Sequence, residues 1–346
     1  MRVGIVGFGF MGRMHFAHWL RCEGVDVVAI CDGRDPEQVR QCATGGNIEG
    51  AAPGAALGDR PIYRDAAEMI ANESLDAVSI TLPSHLHASF SLQALRAGVH
   101  VLCEKPMALT SAEGREMLAE ARRCGRHLMV GHCLRFWPEY VAARELVRGG
   151  RYGAVRVAAF QRYSAAPAWS QDGWLQDAAR SGGMPLDLHI HDTDFVRHLF
   201  GLPVAVSSEA VARQGQWLHI HTRYDTGDDR LVCAEAGWLA TASFGFQMSF
   251  TLFLESATLV FDSTRSPTFR VCPEGGESFV PELAAGDGYA GEIAHFAALI
   301  QGRADPALAA PEESLDAVRI VEAELRSVRA GGRRMEIEAE PTDGEL

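Results

Sequence analysis

The chain has 346 residues, of which 47% are hydrophobic, and a formal net charge of −13; this length is typical of about two domains. It contains no apolar run of about 18 residues, which argues against a transmembrane helix, and its acidic balance without a basic run argues against a nucleic-acid partner. Its eight cysteines form no Cys-x-x-Cys pair and its start lacks a secretory pattern, so we expect reduced thiols and a cytoplasmic location.

The first predicted element is a buried strand over residues 3–6 that leads into a glycine turn and a helix. Gly7 permits the tight turn, Gly9 lets a pyrophosphate approach the backbone, and Gly12 lets the helix pack against the strand. A second strand ends at Asp32, about 20 residues after Gly12, where a ribose-binding carboxylate is expected. The pattern therefore predicts a dinucleotide site at the start of the helix. The alternative is a glycine turn that binds no ligand.

Strand-like and helix-like segments alternate through the rest of the first 130 residues. The predicted elements are a helix that begins after Asp35, a loop of unknown role over 43–60, and then a strand, a helix and a strand over 76–81, 89–97 and 99–103. This alternation indicates right-handed crossovers and a doubly wound parallel sheet. Such sheets bind ligands beyond the carboxyl ends of their strands. The candidate residues at such ends are Asp32, Pro83, His85, Glu104 and Lys105.

The pattern changes after about residue 130. The predicted elements are helices over 139–148, up to Phe200, over 292–300 and over 312–329, and strands over 155–163, 217–224, 231–236 and 243–255. Consecutive strands with no long helix between them indicate an antiparallel sheet. We therefore predict an α/β fold with a doubly wound parallel sheet over 1–130, and an α+β substrate-binding domain with a large, mainly antiparallel open sheet over 131–346.

Three motifs, in this order along the chain, resemble those of one family. They are Gly7-Phe8-Gly9-Phe10-Met11-Gly12, Glu104-Lys105-Pro106 at a strand end, and Asp187-x-x-x-His191 shortly after two glycines. The chain thereby resembles the glucose-fructose oxidoreductase/inositol dehydrogenase (Gfo/Idh/MocA) group of NAD(P)-dependent oxidoreductases. Segments 81–87 and 131–136 look like the cofactor-contact turn and the entry to the second domain of that family. The resemblance implies a Rossmann domain and a second domain whose open sheet often forms the interface of a homodimer or homotetramer.

The resemblance also implies hydride transfer between a nicotinamide and a sugar-like alcohol or ketone, with Lys105, Asp187 and His191 at the catalytic positions. Alcohol oxidation needs a base, and an imidazole such as that of His191 titrates near neutral pH. Lys105 can stabilise negative charge on the same oxygen. Asp187, one helical turn before His191, can bind a substrate hydroxyl or orient a catalytic group. The alternatives are a solvated Lys105, a packed His191 that only its spacing distinguishes from His189, and an Asp187 that caps a helix.

The expected cofactor is NAD rather than NADP, and no metal is expected. The Asp32 carboxylate can accept both ribose hydroxyls and would repel a 2′-phosphate, whereas Arg34 leaves use of NADP open. The histidines and aspartates at 189–194 lack an i, i+4 histidine pair, so Asp192 and Asp194 are interpreted as charges at a helix start. The candidate cofactor-binding residues are Gly7, Phe8, Gly9, Phe10, Met11, Gly12, Asp32, Arg34, Leu82, Pro83, His85, Glu104 and Lys105.

Aromatic and polar residues in segments that approach the active site in relatives are the candidate substrate contacts. They are His132, Arg135, Tyr163, Trp169 and Trp174, and simple packing is the alternative for each. We predict an NAD(P)-dependent dehydrogenase that acts on the CH–OH group of a sugar, polyol or inositol-like substrate, without a nucleic-acid or membrane partner. The alternatives are a dihydrodiol or nucleotide-sugar dehydrogenase of the same family and a non-catalytic NAD(P)-sensing regulator.

Overall fold

The computed structural model describes residues 1–41 and 56–337. Most of the loop predicted over 43–60 lies outside these residues, and its last part, 56–60, forms coil and a turn. Within the described ranges, no helix is long and apolar enough to cross a membrane. The described chain forms two β-sheets with helices packed on them.

The first sheet has six parallel strands in the order β3-β2-β1-β4-β5-β6. The strands are β1 Arg2–Val6, β2 Asp26–Cys31, β3 Ile62–Tyr63, β4 Ala77–Ile80, β5 His100–Glu104 and β6 Leu128–Gly131. The strand order reverses at β1, so the carboxyl ends of β1 and β4 flank the crevice where doubly wound sheets bind ligands. The predicted parallel sheet is confirmed.

Helices connect these strands on both faces of the sheet. Within the described ranges they are α1 Phe10–Trp19, α2 Pro36–Gln41, α3 Ala66–Glu73, α4 His87–Arg96 and α5 Ser111–Cys124. Helix α5 begins with a capping box, in which Thr110 and Glu113 each accept the other's backbone N–H. The sheet is covered on both sides, and Val3 and Ile5 have no exposed surface. This explains why β1 is a continuous apolar run rather than an alternating one.

The second sheet has eight strands in the order β13-β12-β11-β7-β10-β9-β8-β14. The strands are β7 Val155–Ser164, β8 Ala205–Arg213, β9 Gln216–Asp225, β10 Leu231–Gly237, β11 Phe246–Leu254, β12 Ala257–Asp262, β13 Phe269–Pro273 and β14 Met335–Glu336. Neighbouring strands are antiparallel except β7 and β10, which run parallel. The predicted mainly antiparallel open sheet is confirmed.

Helices cover one face of this second sheet. The helices after β6 in the described ranges are α6 Pro138–Arg148, α7 Ala178–Ser181, α8 Ile190–Phe200, α9 Gly288–Ile300 and α10 Pro311–Arg329. Tyr140 of α6 and Phe195 of α8 pack edge-to-face. Tyr140 also packs on Phe250 of the sheet, and Phe195 packs on Phe160. Edge-to-face packing of this kind adds to the gain from burial. Helix α8 is therefore fixed on the inner face of the second sheet.

The last two helices return to the first sheet. Ile293 and Phe296 of α9 share a core with the strands of that sheet, and Leu315 and Val318 of α10 belong to the core on its opposite face. The division at residue 130 remains a prediction, and the chain beyond it completes the covering of the first sheet.

The other face of the second sheet carries exposed apolar side chains. Val211 of β8, Leu231 of β10 and Phe253 of β11 are between 44% and 52% exposed. Val232, which follows Leu231, and Leu252, which precedes Phe253, are fully buried. The alternation places these exposed side chains on the face opposite the helices.

Candidate active site

The glycine turn after β1 has the geometry that the approach of a dinucleotide requires. Gly7 has a φ of +91°, and an added Cβ would lie 2.8 Å from the carbonyl oxygen of Thr81. A Cβ at Gly12 would collide with the carbonyl oxygen of Gly7, whereas one at Gly9 would meet no atom within 4 Å. The outer side of Gly9 is thus open. Helix α1 begins at Phe10 without a side-chain cap, so its first N–H groups can bind an anion.

Asp32 follows β2 and lies beside this turn. Its carboxylate accepts the backbone N–H of Phe8 at 2.8 Å. Arg34 donates from Nε to Oδ1 at 2.8 Å and from Nη2 to Oδ2 at 2.7 Å. Burial alone would raise the pKa of Asp32, but the hydrogen bonds from Arg34 and Phe8 outweigh it and lower the pKa. A charged carboxylate therefore lies where a ribose hydroxyl is expected. Arg34 already donates hydrogen bonds to both of its oxygens.

The turn after β4 lies against the glycine turn. Thr81 donates its hydroxyl to the carbonyl oxygen of Gly7 at 2.6 Å, which fixes the two turns together. Leu82, Pro83 and His85 follow on this turn, each of them partly exposed. The predicted cofactor contacts of the two turns are therefore neighbours in space. Nothing in the sequence marks Thr81 for this role beyond its position at a strand end.

His87 connects the β4 turn to the turn after β5. Its ring nitrogens lie 2.8 Å from the carbonyl oxygen of Leu82 and 2.7 Å from that of Pro106, and its side chain is buried. Both partners are backbone carbonyl groups, which every residue has. The sequence therefore carries no signal for this contact, and His87 is a positioning residue that sequence patterns miss.

Lys105 follows β5 and pairs with Asp187 in the second half of the chain. Its Nζ donates to Asp187 Oδ1 at 2.9 Å and to the Asp187 carbonyl oxygen at 2.7 Å. The two side chains are only 16% and 19% exposed. Asp187 lies in a π-helical turn, Pro185–His189, directly before α8, and its side chain caps neither segment. The contact with Lys105 favours an orienting role for Asp187 over the helix-cap alternative.

His191 lies in the first turn of α8, and its Nδ1 is buried with no hydrogen-bond partner in the described chain. Burial, followed by the positive charges of Lys105 and Arg162, holds the pKa of His191 well below 6.5. The imidazole is therefore neutral at pH 7, as a general base must be. The alternative candidate, His189, contacts a different residue: its Nε2 lies 3.4 Å from Oε2 of Glu324. The positive charge of Lys105 is the second cause of the lowered pKa of His191, which supports a shared site for the two groups.

Two buried ion pairs hold α8 in position. Asp192 accepts Arg162 Nε at 2.8 Å, and Asp194 accepts Arg135 Nη2 at 2.6 Å. Asp192 lies in the first turn of α8 as predicted, but neither aspartate has exposed surface, so their interpretation as helix-start charges alone is corrected to buried ion-pair partners. Their arginine partners lie 30 and 59 residues away, a separation that hides them from local patterns. Arg135 also contacts Glu313 at 3.0 Å, which favours a structural role over the predicted substrate contact.

His132 is a predicted substrate residue that the structure brings near the catalytic groups. Its side chain is buried, neither ring nitrogen has a hydrogen-bond partner in the described ranges, and Nε2 lies 3.5 Å from Asp194 Oδ1. Burial is the main cause that lowers the pKa of His132 to about 4, with Lys105 among the nearby positive charges. A neutral imidazole with unused hydrogen-bonding capacity suits a substrate hydroxyl.

Tyr163 lies on the other face of the second sheet. Its ring stacks on His219 at a centroid distance of 5.9 Å. The preceding residue, Arg162, faces α8 through Asp192, and successive side chains of a strand point to opposite faces. Tyr163 therefore points away from α8, and its position does not support the predicted contact with a substrate beside His191.

Trp169 packs on the glycine turn. Its ring centroid lies 5.7 Å from that of Phe10, and 39% of the residue is exposed. The chain continues through the partly exposed Trp174 to α7, where the carbonyl oxygen of Arg180 lies 3.3 Å from Nδ1 of His85. Residues 165–181, which we call the covering segment, thus contact both turns of the predicted dinucleotide site.

Glu104, a predicted cofactor contact, faces inward. Its Oε1 lies 2.9 Å from Nε2 of the buried His15, and only 4% of Glu104 is exposed. Glu292 of α9 completes a group in which one potential metal-ligand atom from each residue lies within 4.8 Å of the others. The residues at 189–194 form no such group in the part of the chain that the structure describes. The position of Glu104 favours a supporting role beneath Lys105 over direct contact with a cofactor.

Two family models match this chain. One, described as an oxidoreductase family with an NAD-binding Rossmann fold, matches residues 1–132. The other, described as the GFO/IDH/MocA C-terminal domain, matches residues 140–260. The two matches follow the order of the two sheets.

Individual proteins support the same grouping. The chain is 36% identical over 197 residues to D-apiose dehydrogenase from Paraburkholderia graminis, a match that covers 57% of this chain and 49% of that protein. It is 26% identical over 287 residues to myo-inositol 2-dehydrogenase from Thermotoga maritima, with 80% of each covered. The chain thus spans about half the length of the D-apiose dehydrogenase.

A solved structure shares the fold. Levoglucosan dehydrogenase in complex with NADH and levoglucosan superposes with a TM-score of 0.81 at 20% sequence identity. The superposition covers 98% of this chain and 100% of that one. At this identity the likeness describes the arrangement of the two sheets and their helices.

Proposed function

Because this chain belongs to the GFO/IDH/MocA family of oxidoreductases, we propose that it is an NAD(P)-dependent dehydrogenase acting on a CH–OH group of a sugar, polyol or inositol-like substrate. The observation that carries the proposal is the Lys105 ammonium, held by Asp187 beside a neutral His191. The names of the D-apiose and myo-inositol dehydrogenases support the substrate class.

The catalytic residues divide the proton chemistry between them. The nicotinamide, when bound, accepts or supplies the hydride. In alcohol oxidation the neutral imidazole of His191 accepts the hydroxyl proton. Lys105 donates a hydrogen bond from Nζ to the same oxygen and stabilises negative charge as it develops. Asp187 fixes the direction of Nζ through two contacts, and in the reductive direction His191 returns the proton.

The residues present fit a dinucleotide, and we propose NAD as the preferred form. The open side of Gly9 and the uncapped start of α1 would hold the pyrophosphate. The charged Asp32 would accept ribose hydroxyls and repel a 2′-phosphate. Arg34 is the residue through which NADP use would arise, although its guanidinium is engaged with Asp32 here. The ratio of kcat/KM for the two cofactors measures this preference.

A panel of aldoses, glycosides, polyols and inositols, assayed with NAD and NADP, tests the proposal. We expect turnover of at least one compound, and we expect Lys105→Ala to lower kcat by about 10²- to 10⁴-fold, the typical contribution of a proton-handling group. NADH binding, measured by its fluorescence, serves as the control because it should persist in the variant. NADH binding by the wild-type protein without turnover of any compound would instead support a nucleotide-sensing regulator.

We also propose that the protein is a cytoplasmic homodimer or homotetramer. The exposed apolar side chains of Val211, Leu231 and Phe253 on one face of the second sheet support self-association. Free cysteines throughout the described ranges support a reducing compartment. The regulator is the weaker candidate, because binding alone has no need for a lysine, a carboxylate paired with it and a neutral imidazole together.

A further inference from the structure

Glu292 is a buried carboxyl group without a partner. It lies in α9 with none of its surface exposed, and neither of its carboxylate oxygens has a hydrogen-bond partner in the described chain. An ionised carboxylate in such a position is costly unless it is paired or hydrogen-bonded. Glu292 therefore either binds something or is not ionised.

Within the described chain, the neighbouring carboxyl group, Glu104, has hydrogen-bond partners that Glu292 lacks. Glu104 lies with Oε1 2.9 Å from Nε2 of His15, and its Oε2 accepts the backbone N–H of Lys105 at 3.2 Å. An added Cβ at Gly131 would lie 3.4 Å from Glu104 Oε1 and 3.5 Å from Glu292 Oε1, so the two carboxyl groups converge on the same backbone position. Glu104 has the partners of an anion, whereas Glu292 does not.

The other ionisable groups that interact electrostatically with Glu292 do not supply a positive charge. They are Asp287, the N-cap residue of α9, Tyr289 two residues later, and Cys133 in the segment after β6. The imidazole of His15 is already engaged, by Glu104 on one side and by the Ser79 hydroxyl at 3.1 Å on the other. A second unpaired anion next to Glu104 would therefore meet mainly negative or neutral groups.

We propose that Glu292 is a proton-binding site: it carries a proton as a neutral carboxylic acid, shares that proton with the Glu104 carboxylate, and thereby positions Glu104 beneath Lys105. Two carboxyl groups at close quarters commonly hold one proton between them. The pair then has a single negative charge, and Nε2 of His15 contacts it through Glu104. No proton leaves the pair during the reaction.

The pKa directions agree with this geometry. Burial, followed by the negative charges of Glu104 and Asp287, raises the pKa of Glu292 well above 4.5. Burial alone would also raise the pKa of Glu104, but the hydrogen bond to His15 and the charges of His15 and Lys105 lower it. Glu292 is thus the protonated member of the pair and Glu104 the ionised one, although the two are adjacent in space.

Because Glu292 is proposed to be protonated and Glu104 to be ionised, replacing each of them by glutamine should have different effects. Glu292→Gln replaces a neutral acid by a neutral amide of the same shape, so kcat and KM should stay within about twofold of wild type. Glu104→Gln removes the anion that His15 and the Lys105 N–H require, and should lower kcat/KM by about tenfold or more. The activity measurements rest on the proposed function, whereas the next two do not.

The protonated acid has its own signatures. Difference infrared spectra of wild type minus Glu292→Gln at pH 7 should show a carboxylic acid C=O stretch. In denaturant titrations, wild type should lose stability relative to Glu292→Gln as the pH rises above 4.5, the ordinary pKa of the group. The ratio of the two unfolding constants should grow by up to about tenfold per pH unit until the folded-state pKa is passed.

Three results would overturn the proposal. One is an equal loss of kcat/KM in Glu292→Gln and Glu104→Gln, which would make Glu292 an anion. Another is the absence of the acid C=O band together with a pH-independent stability difference. The third is a stoichiometric divalent metal, measured by elemental analysis of the purified protein and lost in Glu292→Gln. A wild-type protein without turnover would contradict the proposed function alone, because the infrared and stability outcomes would still be decisive.

Discussion

His191 owes its chemistry to its surroundings rather than to its intrinsic pKa. Burial of ring atoms lowers its pKa, and positive charge from Lys105 and Arg162 disfavours the imidazolium further. The spacing from Asp187 identifies the two residues from the sequence, but their helical turn is a π turn followed by an α-helix. Spacing could not predict that Asp187 holds Lys105 by two contacts, because Lys105 lies 82 residues away.

His191 is expected to set the acid limb of the pH profile of kcat/KM for alcohol oxidation. Because its folded-state pKa is lowered, the imidazole remains a base as the pH falls past 6.5, and activity is lost only as the pH passes below that lowered value. Initial rates across the acid range measure the midpoint.

The His191→Asn variant should lower kcat/KM by about 10²-fold or more and remove this limb. His132→Asn is the matched control, because it also removes a buried, neutral histidine near Lys105, and it should retain the limb. A midpoint above 6.5, or a limb that survives in His191→Asn, would contradict the assignment of the base.

At the scale of elements, the covering segment connects the two halves of the site. It is held internally, since Gln176 donates to the carbonyl oxygen of Pro167 at 2.7 Å and Ser181 donates to that of Leu175 at 2.8 Å. Leu175 is buried, which anchors the middle of the segment. The aromatic residues were predictable as candidates from the sequence. Which of them contacts the glycine turn and which contacts the substrate could not be predicted, because this depends on where the segment crosses the first sheet.

Trp169 is expected to contribute to cofactor binding rather than to substrate binding. Trp169→Ala removes the ring from Phe10 and should raise the dissociation constant of NADH by up to about tenfold, the value of one aromatic pair. The value of kcat at saturating cofactor should be unchanged. Titration of protein fluorescence with NADH, together with steady-state kinetics, measures both.

Phe244→Ala is the matched control for this substitution. Phe244 is 49% exposed, similar to Trp169, and lies in the short helical segment Ala242–Phe244. The control should bind NADH as wild type does. If Trp169→Ala instead raises only the KM of the sugar substrate, Trp169 is a substrate residue as the sequence first indicated.

At the scale of the whole molecule, both sheet types could be predicted from the sequence. A segment pattern in which strands and helices alternate differs clearly from one in which strands follow each other directly. Two features do not follow. The parallel pairing of β7 with β10 joins strands that are distant in the chain, and the buried partners of Asp192 and Asp194 come from other elements. Long-range pairing leaves no local periodicity, so these features require coordinates.

The exposed face of the second sheet is expected to mediate self-association. Phe253→Asp places a charge on this face, which should shift the protein from a dimer or tetramer toward monomer. Light scattering coupled to size-exclusion chromatography measures the mass. Phe244→Asp, at a similarly exposed phenylalanine outside the sheet, should leave the mass unchanged. A monomeric wild type would contradict this prediction.

The return of α9 and α10 to the first sheet has a consequence for biosynthesis. All strands of that sheet have been translated by residue 131, but the apolar side chains of α9 that complete the cover of one of its faces lie at 293 and 296. More than 150 residues must be translated between the two, a time of about ten seconds or longer. During this interval one face of the first sheet lacks part of its apolar cover, which makes the nascent chain prone to aggregation until α9 is translated.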